Sequence, residues 1–106
     1  MIMRSWKAST DAARASAYES HFIATVLPEL QSLPGNKGAY LLKRIGNDRA
    51  EILVLSLWDS LEAVGSFAGD DVERAVVEPQ AIAVLDMWDS RVQHYEVLHA
   101  PQKDNI

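Results

Sequence analysis

Residues Glu51 to Trp58 form a run in which, after the first glutamate, only Ser56 is polar. The run ends at Asp59-Ser60 and passes straight into a helical pattern, Leu61 to Ala68. Successive strand side chains alternate, so Ile52, Val54 and Trp58 share one face and Leu53, Leu55 and Leu57 the other. Both faces therefore call for burial, whereas a half-solvated antiparallel strand shows a polar row. A chain of 106 residues supplies one layer of helices over one sheet. The second face must be covered from outside the chain, most cheaply by a second copy, so a homodimer is expected.

The remaining segments fit this frame. Residues 2–8 read as a short strand, with Ser9 or Thr10 as the N-cap of the first helix. From Asp11 the pattern turns helical: Ala15, Tyr18, Phe22, Val26 and Leu30 recur at spacings of three and four. Pro28 should kink that helix or split off its last turn, and Leu33-Pro34-Gly35 should end it. A second strand, Gly38 to Ile45, pairs with the third through the polar turn Gly46-Asn47-Asp48-Arg49. Asp59 with Glu62, and Asp70 with Glu73, have capping-box spacing and predict two tandem short helices, the second interrupted at Pro79. A last strand is expected near Arg91 to His99. The order β-α-β-β-α-β predicts an α+β, ferredoxin-like fold with a four-stranded antiparallel sheet, in one domain over residues 1–100. Residues 101–106 form a polar tail expected to fray.

Composition narrows the partners. The formal net charge is −5 and the ten Lys and Arg are scattered, which argues against a nucleic-acid groove. No apolar run nears the ~20 residues of a membrane span, and the first residues lack a signal peptide's pattern, so a cytoplasmic protein is expected. The absence of cysteine excludes disulfides and thiolate chemistry.

Several stretches carry a resemblance: residues 21–30, Pro34-Gly35 with 38–42 after it, 55–60, Phe67-Ala68-Gly69 and 92–97. Together they resemble the antibiotic biosynthesis monooxygenase (ABM) family over nearly the whole domain. The resemblance implies a dimeric α/β barrel. It implies function less narrowly, because the family includes cofactor-free quinone-forming oxygenases, haem degraders and proteins of no known activity. The haem degraders carry an Asn on the first strand and a Trp and a His ten residues apart after the third. Those positions fall at or beside Trp6, at Phe67 and at Val77, none with the required chemistry, so haem degradation is disfavoured.

The cofactor-free branch needs only a dry pocket for an aromatic or polyketide-like substrate, a base and a group that steadies an anion, with no metal and no flavin. Candidate bases are His21, at the border of the buried helical stripe, and His94, which shares a strand face with Glu96 and could form a carboxylate-supported imidazole. Arg4 and Arg91 are candidate anion stabilisers, and Trp6, Tyr40, Trp58, Phe67 and Trp88 candidate aromatic walls. Each has a plainer reading: His94 and Glu96 as a solvated edge contact, His21 as a border side chain, the aromatics as core. The acidic cluster Asp70, Asp71 and Glu73 reads as helix capping, not a metal site. Two functions stay open, a cofactor-independent monooxygenase and a non-catalytic or stress-related binder of small apolar ligands.

Overall fold

A computed structural model describes residues 1–101. Its elements are β1 (Ile2–Asp11), α1 (Ala15–His21), a π-helical turn (Phe22–Val26), α2 (Leu27–Gln31), β2 (Asn36–Gly46), β3 (Arg49–Trp58), α3 (Leu61–Ala68), α4 (Pro79–Ile82), β4 (Met87–Trp88) and β5 (Gln93–Glu96). The sheet is antiparallel and open, in the order β2-β3-β1, with β4 and β5 both on the free side of β1. This is the ferredoxin-like arrangement. The expected last strand, Arg91 to His99, is realised as β5, which pairs with Ile2 to Ser5, and the outer strand also has an unexpected two-residue piece, β4, which pairs with Ala8 and Ser9. Between them Trp6 Nε1 donates to the Asp89 carbonyl at 2.9 Å, and Asp89 N to the Lys7 carbonyl at 3.0 Å.

The alternation of β3 settles the layers. Ile52, Ser56 and Trp58 are buried beneath the helices, while Leu53, Leu55 and Leu57 are only half-buried on the opposite face. On β1 the inward set is Arg4, Trp6, Ala8 and Thr10, because these residues stand opposite Ser56, Val54, Ile52 and Ala50. Two apolar clusters form above the sheet. One gathers Ala8, Tyr18, Phe22, Ile52, Ala81 and Leu85; the other gathers Leu30, Trp58, Val64 and Ala68.

The first helical stripe is as expected, with Ala15, Tyr18, Phe22 and Leu30 buried. Pro28 stands in the first turn of α2, so the last turn is split off as the sequence allows, after a π-type step in which Leu27 N bonds to the Phe22 carbonyl. The β2–β3 hairpin turns on Asn47 and Asp48, with φ of 53° and 61°, the left-handed pair of a type I′ turn.

Four local expectations are corrected. Strand β1 runs to Asp11, because Ser9 and Thr10 stay in the ladder opposite Glu51 and Ala50, and Thr10 Oγ1 donates to the Val84 carbonyl at 2.8 Å; neither caps α1. The cap of α3 is Ser60, whose Oγ accepts from Ala63 N at 3.1 Å, and Asp59 instead meets Lys37 at 3.4 Å. No helix starts at Asp70. Arg91 takes Asp71 with two contacts of 3.0 Å and Glu73 with one of 3.2 Å, so this acidic cluster is an ion-pair site, not a helix cap. Pro79 then opens α4 instead of interrupting a helix, in keeping with a residue whose missing N–H costs nothing in a first turn. Most of the polar tail lies outside the described residues.

Candidate active site

The two apolar clusters part over the middle of the sheet and leave a narrow, open-mouthed cleft with about 50 Å³ of water-accessible space. Its floor is Arg4, Trp6, Val54 and Ser56 from β1 and β3. The helical side contributes Tyr18, His21, Val26 and Leu30, and Phe67, Val76, Val77, Glu78, Ala81 and Val92 complete it. A mostly apolar concavity with a few polar groups is what a small-molecule site requires.

Arg4 is the dominant polar group. It is 4% exposed, on a strand face that otherwise carries apolar and hydroxyl side chains. Its Nη1 donates to the Val72 carbonyl and to His94 Nε2, the latter at 3.0 Å, and Nη2 donates to the Arg74 carbonyl at 2.8 Å. The guanidinium also lies 5.7 Å from the centre of the Phe67 ring, within cation–π range. No carboxylate pairs with Arg4 among the described residues. Burial, and after it the like charge of Arg74, lowers its pKa to about 10, so it remains a cation at neutral pH.

Because a guanidinium has no lone pair to offer, His94 Nε2 must be the acceptor, which fixes His94 as a neutral imidazole protonated on Nδ1. Burial, then the Arg4 charge, holds its pKa below the ordinary value, with Glu73 opposing. No hydrogen bond joins His94 to Glu96; Glu96 is exposed at the end of β5, opposite Ile2. The expected His94–Glu96 couple is therefore replaced by an Arg4–His94 couple.

His21 does line the cleft. Its Nε2 is buried without a hydrogen-bond partner, beside the Tyr18 ring at 5.9 Å between centroids. Tyr18 is almost wholly buried, and burial followed by the charge of Glu78 raises its pKa well above the usual phenol value, so it stays a neutral hydroxyl. Trp6 and Phe67 line the cleft. Trp58 does not: it is wholly buried in the second cluster, stacked on Phe67 at 6.1 Å, and its Nε1 donates to Ser56 Oγ at 2.9 Å. Tyr40 lies on the other side of the sheet, 54% exposed, because its register partner is Leu55. Trp88 packs half-buried against the first cluster, and Arg91 is committed to Asp71 and Glu73. Tyr18, Ser56 and Glu78 were not legible as cleft residues. Tyr18 read only as core, and nothing but a lone carboxylate after Val76-Val77 marked Glu78. No group of three or more His, Cys, Asp or Glu is placed to hold a metal ion among the described residues, and none of the described helices is long and apolar enough to cross a membrane.

No family model matches the chain, and no curated protein matches its sequence. Solved structures do match. A candidate antibiotic biosynthesis monooxygenase from Deinococcus radiodurans superposes with a TM-score of 0.66 at 14% identity, covering 99% of this chain and all of that one. The haem degrader MhuD from Mycobacterium tuberculosis, solved with two haems in its active site, superposes at 0.59 with 20% identity, over 93% and 98% of the two chains. The chain therefore has the fold of the antibiotic biosynthesis monooxygenases.

Burial of His94, and after it the Arg4 charge, makes stability depend on pH. The folded state binds the His94 proton less readily than the unfolded chain does, so this contribution is complete above about pH 6.5 and is lost as pH falls below it. Asp11, Asp71 and Asp86 titrate in a separate, lower window, since hydrogen bonds from Arg14, Arg91 and Arg49 hold them below the usual carboxylate range. The urea midpoint should drop between about pH 7 and about pH 5, and less steeply in His94→Gln, whose amide oxygen accepts from Arg4 without titrating. Equal slopes in the two proteins would show that His94 carries no such dependence.

Proposed function

We propose that the chain is a small cofactor-independent monooxygenase acting on an acidic aromatic, a quinol or an anthrone-like polyketide. One observation carries this reading: Arg4, a buried cation with no counter-ion among the described residues, and His21 Nε2, a buried imidazole nitrogen without a partner, line the same apolar cleft. A ligand that loses a proton and becomes an anion there satisfies both. In the reaction envisaged, His21 accepts the proton from the substrate carbon or hydroxyl, and Arg4 stabilises the resulting anion. The electron-rich anion reduces dioxygen. For an anthrone-type methylene, one oxygen atom becomes the new carbonyl and the other leaves as water with the two hydrogens lost from carbon. Trp6, Phe67 and the valines exclude bulk water, which strengthens the charge interactions.

Oxygen consumption with a panel of quinols and anthrones tests this. His21→Ala should lower turnover by about 10²- to 10⁴-fold, the usual worth of a general base, with little change in melting temperature because Phe22, not His21, fills the core. Unchanged turnover in this variant would remove His21 from the mechanism. No uptake on any substrate would favour the alternative, a binder of small apolar ligands.

Haem degradation is the less favoured reading. Phe67 and Val77, which the family resemblance matches to the Trp and His of the haem degraders, both line the cleft, and neither can ligate iron. His21 is the imidazole that the described lining supplies, and its Nε2 is enclosed beside Tyr18. Added haem should keep an absorbance close to that of free haem in buffer. A sharp Soret band at one haem per chain, lost in His21→Ala, would reverse the assignment.

The assembly we propose is a homodimer joined through the uncovered sheet face. Leu53, Leu55 and Leu57 lie half-exposed there, with Tyr40, Leu42 and Tyr95 exposed around them, and an apolar surface of this kind marks an interaction site. Light scattering at micromolar concentration should return twice the monomer mass of 11.8 kDa. Leu55→Asp should dissociate or unfold the protein, because an unpaired charge in that interface costs several kcal/mol. A clean monomer of the unaltered chain would overturn the proposal.

A further inference from the structure

Arg4 does not exhaust its hydrogen-bonding capacity on the protein. Three of the five N–H groups of a guanidinium are spent, on the Val72 and Arg74 carbonyls and on His94. The remaining donors, Nε–H and one on Nη2, have no partner among the described residues, in a side chain that is 4% exposed and lines the cleft. Both unused donors lie in the guanidinium plane, and a carboxylate, with two acceptor oxygens and a full charge, is the group best suited to take them up. The other polar groups of the cleft stand with the first apolar cluster. His21 adjoins its Tyr18 at 5.9 Å between ring centroids, and Glu78 stands at the N-cap of the helix that carries its Ala81, whereas Arg4 lies against Phe67, which packs on the second cluster. The cleft thus has a cationic end at Arg4 and an acceptor end at His21 and Glu78, with Trp6 and Phe67 among the aromatic surfaces along it.

We propose that the ligand class of this cleft is a planar hydroxyaryl carboxylate, its carboxylate held by the unspent N–H groups of Arg4 and its hydroxyl donating toward His21 or Glu78. The inference rests on reading the cleft as a ligand site, and it narrows the substrate class beyond a neutral quinol or anthrone. Glu78 enforces the orientation, because a carboxylate placed at the acceptor end would meet a like charge. Arg4 enforces the chemistry. A buried cation surrounded only by neutral acceptors gains more from a full negative charge than from a dipole, and a planar guanidinium discriminates a carboxylate from an amide, which offers one acceptor oxygen and no charge.

The test is calorimetric titration of the full chain with para-hydroxycinnamate, its carboxamide and cinnamate. The acid should bind at least about tenfold more tightly than the amide, the size expected of a charge-assisted pair, and more tightly than cinnamate, which lacks the hydroxyl. Arg4→Lys keeps the charge but not the planar set of donors and should narrow the preference for acid over amide. If that variant does not fold, the ligand comparison on the unaltered protein decides by itself. Equal affinity for acid and amide, or no binding of either, would overturn the inference; cinnamate binding as well as its hydroxylated form would overturn the contact at the acceptor end. The outcome is separable from the oxygenase reading. An acid preference without oxygen uptake leaves the ligand class standing and removes the catalysis, whereas turnover of neutral quinols with no acid preference does the reverse.

Discussion

Burying a guanidinium on the helix-covered face of a sheet is the constraint around which the rest of this molecule is arranged. Arg4 stands opposite Ser56 on one side and His94 on the other, in the middle of a small sheet. An arginine there is tolerable only if acceptors come to it, since leaving such a charge unsatisfied costs more than most single contacts in a domain this size contribute. The acceptors are backbone carbonyls of Val72 and Arg74, and carbonyls free to turn toward a side chain are not available inside a helix. The stretch after α3 accordingly leaves helical geometry. It is tied to the last strand by Ala75 N to the Ser90 carbonyl, Val92 N to the Glu73 carbonyl and the Arg91 ion pairs. That irregular path is what brings Val76, Val77 and Glu78 to the wall of the cleft.

The helical wall is set by a second local conflict. Pro28 cannot donate, and its ring crowds the preceding turn, yet the apolar stripe from Ala15 to Leu30 must keep one face on the sheet. The chain resolves this with a π-type step over Phe22 to Val26, which widens the helix immediately after His21. Such steps recur at functional sites. Here it adjoins the residue whose imidazole nitrogen is left without a partner.

The architecture was legible because it depends on periodicity. Alternation in Ile52 to Trp58 and the stripe at 15, 18, 22, 26 and 30 fix which faces are buried, and Asn47-Asp48 fix the hairpin, whatever the remainder does. The site was legible only in part. His21, Arg4, Trp6 and Phe67 could be chosen as residue types whose placement on border, strand or helix demanded explanation. Tyr18 and Glu78 could not, because one sits within a perfectly regular core stripe and the other on a segment whose shape is dictated by Arg4, more than seventy residues away in the chain. Misplacing the couple of His94 had the same origin: strand alternation puts Glu96 on its face, but pairing with β1 puts Arg4 closer. Spacing within one strand says nothing about the neighbour across it.

The broken outer strand has a consequence for how the chain behaves among its copies. Growth of a sheet edge to edge needs a continuous row of free backbone donors and acceptors. On one side of this sheet, β4 offers two residues and β5 four, separated by a loop that folds back on Trp6 and Lys7. On the other side, β2 is long, but its register shifts between Asn36 and Gly38, and it carries Lys37, Lys43 and Arg44. Neither margin is a good template for ribbon-like polymerisation. A sheet with an apolar back and two blunted margins offers open-ended growth no continuous edge, so what its exposed leucines can attract is contact through the face and not along the margin.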